Sequence, residues 1–127
     1  MRILGIETSC DDTAVALIDA SGSFGAEFRF KTLSNVRVSQ TVHAQYGGVY
    51  PNLARGEHQK NLTPMLELAL RESSMLTENT SSVDEDALRT ILAREPELAG
   101  FLIPFIKTTN CRVGINTKYK KQRHFIF

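Results

Sequence analysis

Cysteine is scarce in this sequence, and its placement excludes two classes of site. The only two cysteines, Cys10 and Cys111, lie far apart and form no CxxC pair. Neither a disulfide framework nor a cysteine-based zinc site is therefore indicated. We expect Cys10 to be a free thiol.

The sequence also lacks an excess of charge of one sign and any long apolar run. Fifteen lysine and arginine residues face fourteen aspartate and glutamate residues, which leaves a formal net charge of +1. This net charge is too small to indicate a nucleic-acid or membrane partner. Any such partner must therefore bind to a local patch of charged residues. No run approaches the roughly 20 apolar residues of a membrane-spanning helix, and the strand-like start MRILGIE does not resemble a signal peptide. We expect a cytoplasmic protein with no membrane partner.

What the sequence does contain fits one α/β domain. Its 127 residues are 42% hydrophobic and 23% charged, as in an ordinary globular protein. In the first third of the chain, β-prone runs separated by turn formers predict two or three antiparallel strands. Helical spacing of apolar residues then predicts a helix over residues 51–72, with Pro64 bending or restarting it. Ser82 and Glu85 have the spacing of a capping box before a second helix, and Pro96 opens a third.

A cluster of polar side chains, ETSCDD, separates the first two apolar runs at residues 7–12. If those runs are neighbouring antiparallel strands, the cluster is their connecting turn, and its backbone N–H groups and hydroxyls converge on one small volume. Such a turn is able to cradle a phosphate. The carboxylates of Asp11 and Asp12 repel a bare phosphate unless a cation mediates, or unless one of them serves in proton transfer. The alternative is that these residues are simply what β-turns contain.

The second informative stretch is TVHAQYGGVYPNLARGEHQKN. Its residues Gly47 and Gly48 permit a positive φ or the close approach of another backbone, and Pro51 is suited to opening the helix that follows. His43 and His58 flank this loop. Each is either a proton-transfer group or ligand, or a solvent-exposed or capping histidine.

Two family signatures occur in these stretches, in a fixed order. GIETSCD lies within ILGIETSCDDTAVALID, and H-x-x-YGGV-x-P-x-LA-x-x-x-H lies within SNVRVSQTVHAQYGGVYPNLARGEHQKNLTPMLELAL. Both segments closely resemble the N-terminal part of the tRNA N6-adenosine threonylcarbamoyltransferase family, formerly described as O-sialoglycoprotein endopeptidases. The resemblance runs nearly continuously over residues 1–72.

The resemblance implies a fold and a set of site residues. The implied fold is α/β, a partial N-terminal lobe like those of actin, Hsp70 and the sugar kinases (ribonuclease H-like), with antiparallel strands followed by helices. Its first hairpin turn faces the nucleotide cleft, where Asp11 is a catalytic or site-organising carboxylate. The residues implied to bind the cofactor are Thr8, Ser9, Cys10, Asp12, His43, Gly47 and Gly48.

The implied reaction is an acyl transfer. The family moves a threonylcarbamoyl group from threonylcarbamoyl-AMP to N6 of the adenosine beside the anticodon, in tRNAs that read codons beginning with A. The implied partner is therefore tRNA. The family also binds one divalent metal, iron or zinc, through an HxxxH pair on a later helix and an aspartate near the C-terminus of the full-length enzyme. Such a metal polarises the carbamoyl carbonyl or anchors the adenylate.

This sequence departs from the family after the first helices. Its three histidines, His43, His58 and His124, form no HxxxH pair, and it contains no GPG loop. We therefore expect residues 1–110 to form a partial N-terminal lobe with no metal ligands and no cofactor of its own. Such a lobe has little or no transferase activity alone, because a ligand in a two-lobed cleft needs groups from both walls. Residues 111–127 form a divergent basic tail.

Two functions from different classes remain open. The chain is part of an enzyme that modifies tRNA, which the ETSCD loop favours, or a non-catalytic scaffold lobe, which the missing metal ligands favour. The scaffold would pair with a related protein, a paralogue or another subunit, through its helices. A sugar kinase or Hsp70-like ATPase shares the fold but does not require YGGV at this place. Substitution of Asp11 matters to an enzyme, whereas charged residues at Leu66 and Leu70 would disrupt a helix-mediated pairing.

Overall fold

Three antiparallel strands open the chain and form one sheet. The computed structural model describes residues 1–23, 25, 27–78 and 82–111, so the predicted tail lies outside the described residues beyond Cys111. The strands are β1 (Arg2–Glu7), β2 (Asp12–Ser21) and β3 (Arg29–Ser39). Their order in the sheet is β1-β2-β3, and both pairings are antiparallel. The predicted antiparallel start of the chain is thus confirmed.

The central strand β2 alternates between buried and half-buried positions. Thr13, Val15 and Leu17 are all 0% exposed, as expected for a strand with one face on the core. The pairing with β3 shifts by one residue between Leu17 and Ile18. An irregularity of this kind changes which side chains face inward, and the next buried side chain is accordingly Ala20.

One long helix, α1 (Pro51–Glu72), packs against β2 and β3. Its bounds are those predicted from the sequence. Pro64 lies inside the helix at an exposed position, and the helix continues past it rather than restarting. Exposure lets water satisfy the carbonyl that a proline leaves without its donor. The buried apolar cluster at the contact between the helix and the sheet consists of Val15, Leu17, Val36, Ala69, Leu70 and Met75.

The face of α1 that carries Leu66 and Leu70 belongs to this core. Leu70 is 3% exposed, and Leu66 packs against the same cluster. This face is therefore not available for binding a partner protein. The expectation that charged residues here would report on pairing through the helices is wrong, because they would disrupt the core instead.

The second half of the described chain adds two helices and a small sheet. The elements are β4 (Leu76–Glu78), α2 (Glu85–Ile91), α3 (Pro96–Thr108) and β5 (Thr109–Cys111). Pro96 opens α3 as predicted, and Phe105 of this helix packs against the core. The antiparallel pairing of β4 with β5 was not predicted. Strands of three residues are too short to show an alternating pattern.

The N-terminus of α2 differs from the prediction. Asp84 is the N-cap, and its carboxylate accepts a backbone N–H at 3.0 Å. The capping box predicted from Ser82 and Glu85 is therefore wrong. Glu85 instead forms ion pairs with Lys107 and Arg89. The hydrogen bond from Lys107 has the largest effect in lowering the pKa of the Glu85 carboxyl, followed by the hydrogen bond from Arg89.

Strand β1 lies at the edge of the sheet and is open on both faces. All six of its residues are exposed, including Ile3 at 37%, Leu4 at 39% and Ile6 at 52%. Among the described residues, β2 is its only partner strand. An apolar edge of this kind favours pairing with a further strand.

We expect the substitution Leu17→Ala to lower the free energy of unfolding by about 2–5 kcal/mol, because it removes a fully buried side chain and leaves a cavity. Leu68 on α1 is 39% exposed, so Leu68→Ala serves as the matched control and costs about 1 kcal/mol or less. Urea denaturation followed by circular dichroism measures both. Equal losses would contradict the placement of Leu17 at the centre of the core.

Candidate functional site

The polar cluster forms the turn between β1 and β2, as predicted. Residues 8–11 connect the two strands, and the Asp12 backbone N–H closes the turn by donating to the Ser9 carbonyl at 3.4 Å. Cys10 has a φ of 54°, a left-handed conformation that costs a residue other than glycine about 1–2 kcal/mol. Its thiol is free and exposed. The turn is therefore a strained segment that other contacts must hold.

Glu7 holds the start of the turn. One oxygen of its carboxylate, Oε1, accepts the Ser9 backbone N–H at 2.7 Å. Hydrogen bonds from the Ser9 side chain and then from its backbone lower the pKa of the Glu7 carboxyl. The N–H groups of Ser9 and Asp12 are thus bonded within the protein. The expectation that the turn's N–H groups converge on a phosphate is wrong for these two.

The two adjacent aspartates have different surroundings. The Asp12 carboxylate bonds to β3, accepting from Arg37 Nη1 at 3.2 Å and from the Ser39 hydroxyl. The Asp11 residue is exposed, and within the described part of the chain no donor bonds to its carboxylate. Only its backbone carbonyl is engaged, by the Gln40 N–H at 2.7 Å. Asp12 therefore ties the turn to β3, and Asp11 is left open to a ligand.

The loop predicted between β3 and α1 faces the same turn. A 3₁₀-helix, Thr41–Tyr46, ends at Gly47, whose φ of 68° is one of the two possibilities that the sequence left open for this glycine pair. Pro51 then opens α1. Together the turn and the loop line a wide-open cavity of about 430 Å³, a volume within the range of small-molecule sites. Its lining residues are Asp11, Ser39, Gln40, Thr41, His43, Ala44, Gly47, Gly48 and Val49.

Four of the predicted site residues therefore line one cavity: Asp11, His43, Gly47 and Gly48. The predicted residues Thr8, Ser9 and Cys10 lie on the adjoining turn but are not part of the cavity wall. A second cavity, of about 400 Å³, is lined by Lys60, Pro96, Glu97, Gly100 and Phe101. It contains none of the predicted site residues, so the first cavity is the candidate site.

Of the two histidines that flank the loop, His43 is buried and His58 is half-buried. His43 is 5% exposed, and its Nε2 lies 2.7 Å from Gln40 Oε1. His58 lies under the turn, where its Nδ1 is 2.8 Å from the Thr13 hydroxyl and its Nε2 is 3.3 Å from the Cys10 carbonyl oxygen. Gln40 joins the two rings, because its Nε2 is 3.1 Å from His58 Nδ1.

Gln40 is the site residue that the sequence analysis missed. A signal for it existed in the alternation of β3. Ser34 and Val36 are buried, and two further steps of the strand period place residue 40 on the same face. Gln40 is itself 5% exposed. A buried amide at the end of a strand requires hydrogen-bond partners on neighbouring elements.

Two cations of α1, which do not line the candidate cavity, are paired with acidic side chains. Arg55 Nη2 lies 2.8 Å from a Glu95 carboxylate oxygen, and Lys60 Nζ lies 2.9 Å from one of Glu57. The hydrogen bond to Glu57 raises the pKa of Lys60. Exposed pairs of this kind contribute little stability.

The described residues contain no group of three or more histidine, cysteine, aspartate or glutamate side chains placed to hold a metal ion. None of the helices within the described ranges is long and apolar enough to cross a membrane.

Comparison with known proteins finds similarity to one family. Residues 31–83 match the family model of tRNA N6-adenosine threonylcarbamoyltransferase. A protein of that name from Sulfurihydrogenibium sp. is 45% identical over 83 residues, which are 65% of this chain and 22% of the relative. The corresponding protein of Persephonella marina is 51% identical over 76 residues, which are 59% of this chain and 20% of the relative.

A third relative of the same name, from Christiangramia forsetii, extends the similarity over 103 residues at 38% identity, which is 81% of this chain and 26% of the relative. The resemblance predicted from the two signatures is therefore confirmed for the N-terminal part of the chain. The chain spans only about a quarter or less of the length of these relatives.

We expect the Glu7 carboxyl to titrate below the usual range of a glutamate, and Ser9→Ala to raise its pKa part of the way back. The hydroxyl is lost in this variant, but the backbone N–H bond to Glu7 remains. Because the pKa is lowered, the associated stabilisation is present at neutral pH and is lost as the pH falls through the lowered pKa. Side-chain carboxyl NMR titration measures both proteins.

Thr8→Ala is the matched control for this titration, since it removes a neighbouring hydroxyl of the same turn. Its Glu7 pKa should equal that of the unmodified protein. A Glu7 pKa that is the same with and without the Ser9 hydroxyl would show that the hydroxyl does not hold the start of the turn.

Proposed function

We propose that this chain is part of the N-terminal lobe of a tRNA-modifying acyltransferase, and that the cavity between the turn and the loop is one wall of its active site. The substrates would be threonylcarbamoyl-AMP and the adenosine beside the anticodon of tRNA. The similarity to the three relatives supports this assignment. Residues 1–110 would form the lobe, and residues 111–127 a separate tail.

The observation that carries the proposal is the convergence of the two sequence signatures on one cavity. GIETSCD contributes Asp11, and the YGGV segment contributes Gly47, Gly48 and Val49 to the same wall. In the sequence, these two segments are separated by the strands β2 and β3. A purely structural turn would not require an open carboxylate beside a glycine pair.

Asp11 is the proposed catalytic carboxylate. In the transfer, the N6 nitrogen of adenine attacks the carbonyl carbon of the threonylcarbamoyl group and forms the new C–N bond. The bond from that carbon to the phosphate oxygen breaks, and AMP leaves with the electron pair. The proton lost from N6 passes to the Asp11 carboxylate, or the carboxylate orients the amino group by accepting its hydrogen bond.

The glycine pair would bind the adenylate. Nothing lies within 4 Å of the position of an added Cβ at Gly47 or Gly48, so the backbone there is open to close approach by a ligand. Thr8, Ser9 and Cys10 would border the same ligand from the turn. Asp12 would act indirectly, because its carboxylate is bound to β3.

The wider fold proposed is the two-lobed fold of actin, Hsp70 and the sugar kinases. The open apolar edge of β1 supports it, since a larger sheet would continue there. In such a fold the ligand is held between two walls, and this chain supplies part of one. We therefore propose that the chain alone has little transferase activity.

A chimera tests the proposal. Residues 1–78 of this chain would replace the matching segment of the Persephonella marina relative, and formation of the modified adenosine in tRNA would be measured. We expect the chimera to be active and Asp11→Asn to reduce its rate by about 10²-fold or more, as loss of a proton-transfer group does.

The control is Asp19→Asn, the same chemical change at an exposed residue of β2, which should leave the rate unchanged. An active chimera that tolerates Asp11→Asn would overturn the role of Asp11. A folded chimera without activity, beside an active parent enzyme, would contradict the assignment of this segment to the transferase.

A further inference from the structure

Beneath the candidate site, a chain of hydrogen bonds joins the loop before α1 to the turn between β1 and β2. The Tyr50 backbone N–H lies 3.4 Å from His43 Nδ1, and His43 Nε2 lies 2.7 Å from Gln40 Oε1. Gln40 Nε2 lies 3.1 Å from His58 Nδ1, and His58 Nε2 lies 3.3 Å from the Cys10 carbonyl oxygen. Four links thus connect two segments that are distant in sequence.

The backbone groups that take part in these hydrogen bonds determine which atom carries the proton in each of the four bonds. The Tyr50 N–H only donates, so His43 Nδ1 accepts, and the proton of the neutral ring is on Nε2. That N–H donates to Gln40 Oε1. The Gln40 amide cannot be turned over, because its nitrogen also donates to the Ala54 carbonyl at 3.2 Å.

The same reasoning continues through the second ring. The remaining N–H of Gln40 Nε2 points at His58 Nδ1. A proton on Nδ1 would oppose it, so this nitrogen accepts and the ring proton is on Nε2. The Nε2–H then donates to the Cys10 carbonyl. Both rings are therefore neutral Nε2–H tautomers, and all four bonds run in one direction.

We infer that Gln40, His43 and His58 form a directed relay that holds the strained turn, and that they are positioning residues rather than ligands of the cavity. The relay ends on the carbonyl of Cys10, the residue with the left-handed φ of 54°. Gln40 holds the turn a second time, because its backbone N–H donates to the Asp11 carbonyl at 2.7 Å. This inference is independent of the reaction proposed above.

The hydrogen-bond partners of the ring nitrogens distinguish these two histidines from catalytic residues. Each nitrogen of His43 and of His58 already has a partner in the protein. Neither ring therefore has a nitrogen available for a metal or for the proton of a ligand while the relay is intact. The role of the two histidines is to connect the position of the Gly47–Gly48 loop to that of Asp11.

Histidine NMR tests the relay in the whole chain. Two-bond ¹H–¹⁵N correlation spectra distinguish the two neutral tautomers, and His124→Gln assigns the third histidine. We expect His43 and His58 both to carry their proton on Nε2 at a pH at which they are neutral. A proton on Nδ1 of either ring would overturn the inference, and this measurement needs no variant that perturbs the relay.

Two substitutions then test the relay. Gln40→Met removes the donor to His58 Nδ1, whereas the Cys10 carbonyl, which only accepts, still faces Nε2, and the Thr13 hydroxyl at Nδ1 is able to donate. His58 should therefore keep its proton on Nε2, but the turn loses its link to the loop, so the Asp12 amide should exchange about fivefold faster, as expected for the loss of one hydrogen bond. Thr13→Val leaves Gln40 in place, so His58 should stay in the Nε2–H form.

Gln45→Met is the matched control, because Gln45 is exposed on the 3₁₀-helix. Its spectra should show the unmodified tautomers and amide exchange. The inference fails if Thr13→Val changes the tautomer of His58, or if a folded Gln40→Met protein exchanges the Asp12 amide no faster than the unmodified protein. In the first case the Thr13 hydroxyl, and not the relay, would set the state of the ring.

Discussion

The packing of α1 on the inner face of β2 is the contact on which the rest of the described structure depends. Val15 and Leu17 of the strand join Ala69 and Leu70 of the helix in one apolar cluster. Burial of a valine or leucine side chain stabilises a domain by roughly 1.5–3 kcal/mol. Because α1 is one continuous helix of 22 residues, anchoring its C-terminal half also places its N-terminal half beneath the turn that carries Asp11.

Along this interface the contacts change from apolar to polar. At the N-terminal end of α1, His58 bonds to Thr13 and to the Cys10 carbonyl rather than packing in the core. Buried polar groups lower stability unless they are paired, and here each ring nitrogen has a partner. The Ser34 and Thr63 hydroxyls, by contrast, are buried without a hydrogen-bond partner in the described structure. The polar end of the interface therefore specifies geometry at the site, whereas the apolar end supplies stability.

The elements that could be predicted are those whose local signals are strong. The β1-β2 hairpin follows from two apolar runs around a polar turn, and the helix of residues 51–72 follows from its apolar spacing and from Pro51 at its start. The cap of α2 was misassigned because two side chains able to cap a helix stand two positions apart, and only backbone geometry selects Asp84 over Ser82. The β4-β5 sheet was missed because a three-residue strand has no period to detect.

The sequence by itself determined the antiparallel strands at the start of the chain and the helices that follow, the turn that carries the acidic pair, and the resemblance to a family of tRNA-modifying enzymes. These depend on side chains a few positions apart, or on signatures that are contiguous in the chain. Only the tertiary structure decided what each polar residue does. Asp11 and Asp12 are chemically identical neighbours, yet β3 engages one carboxylate and leaves the other open. Their difference, like the half-buried position of His58, comes from partners that are remote in sequence and are brought close only by folding.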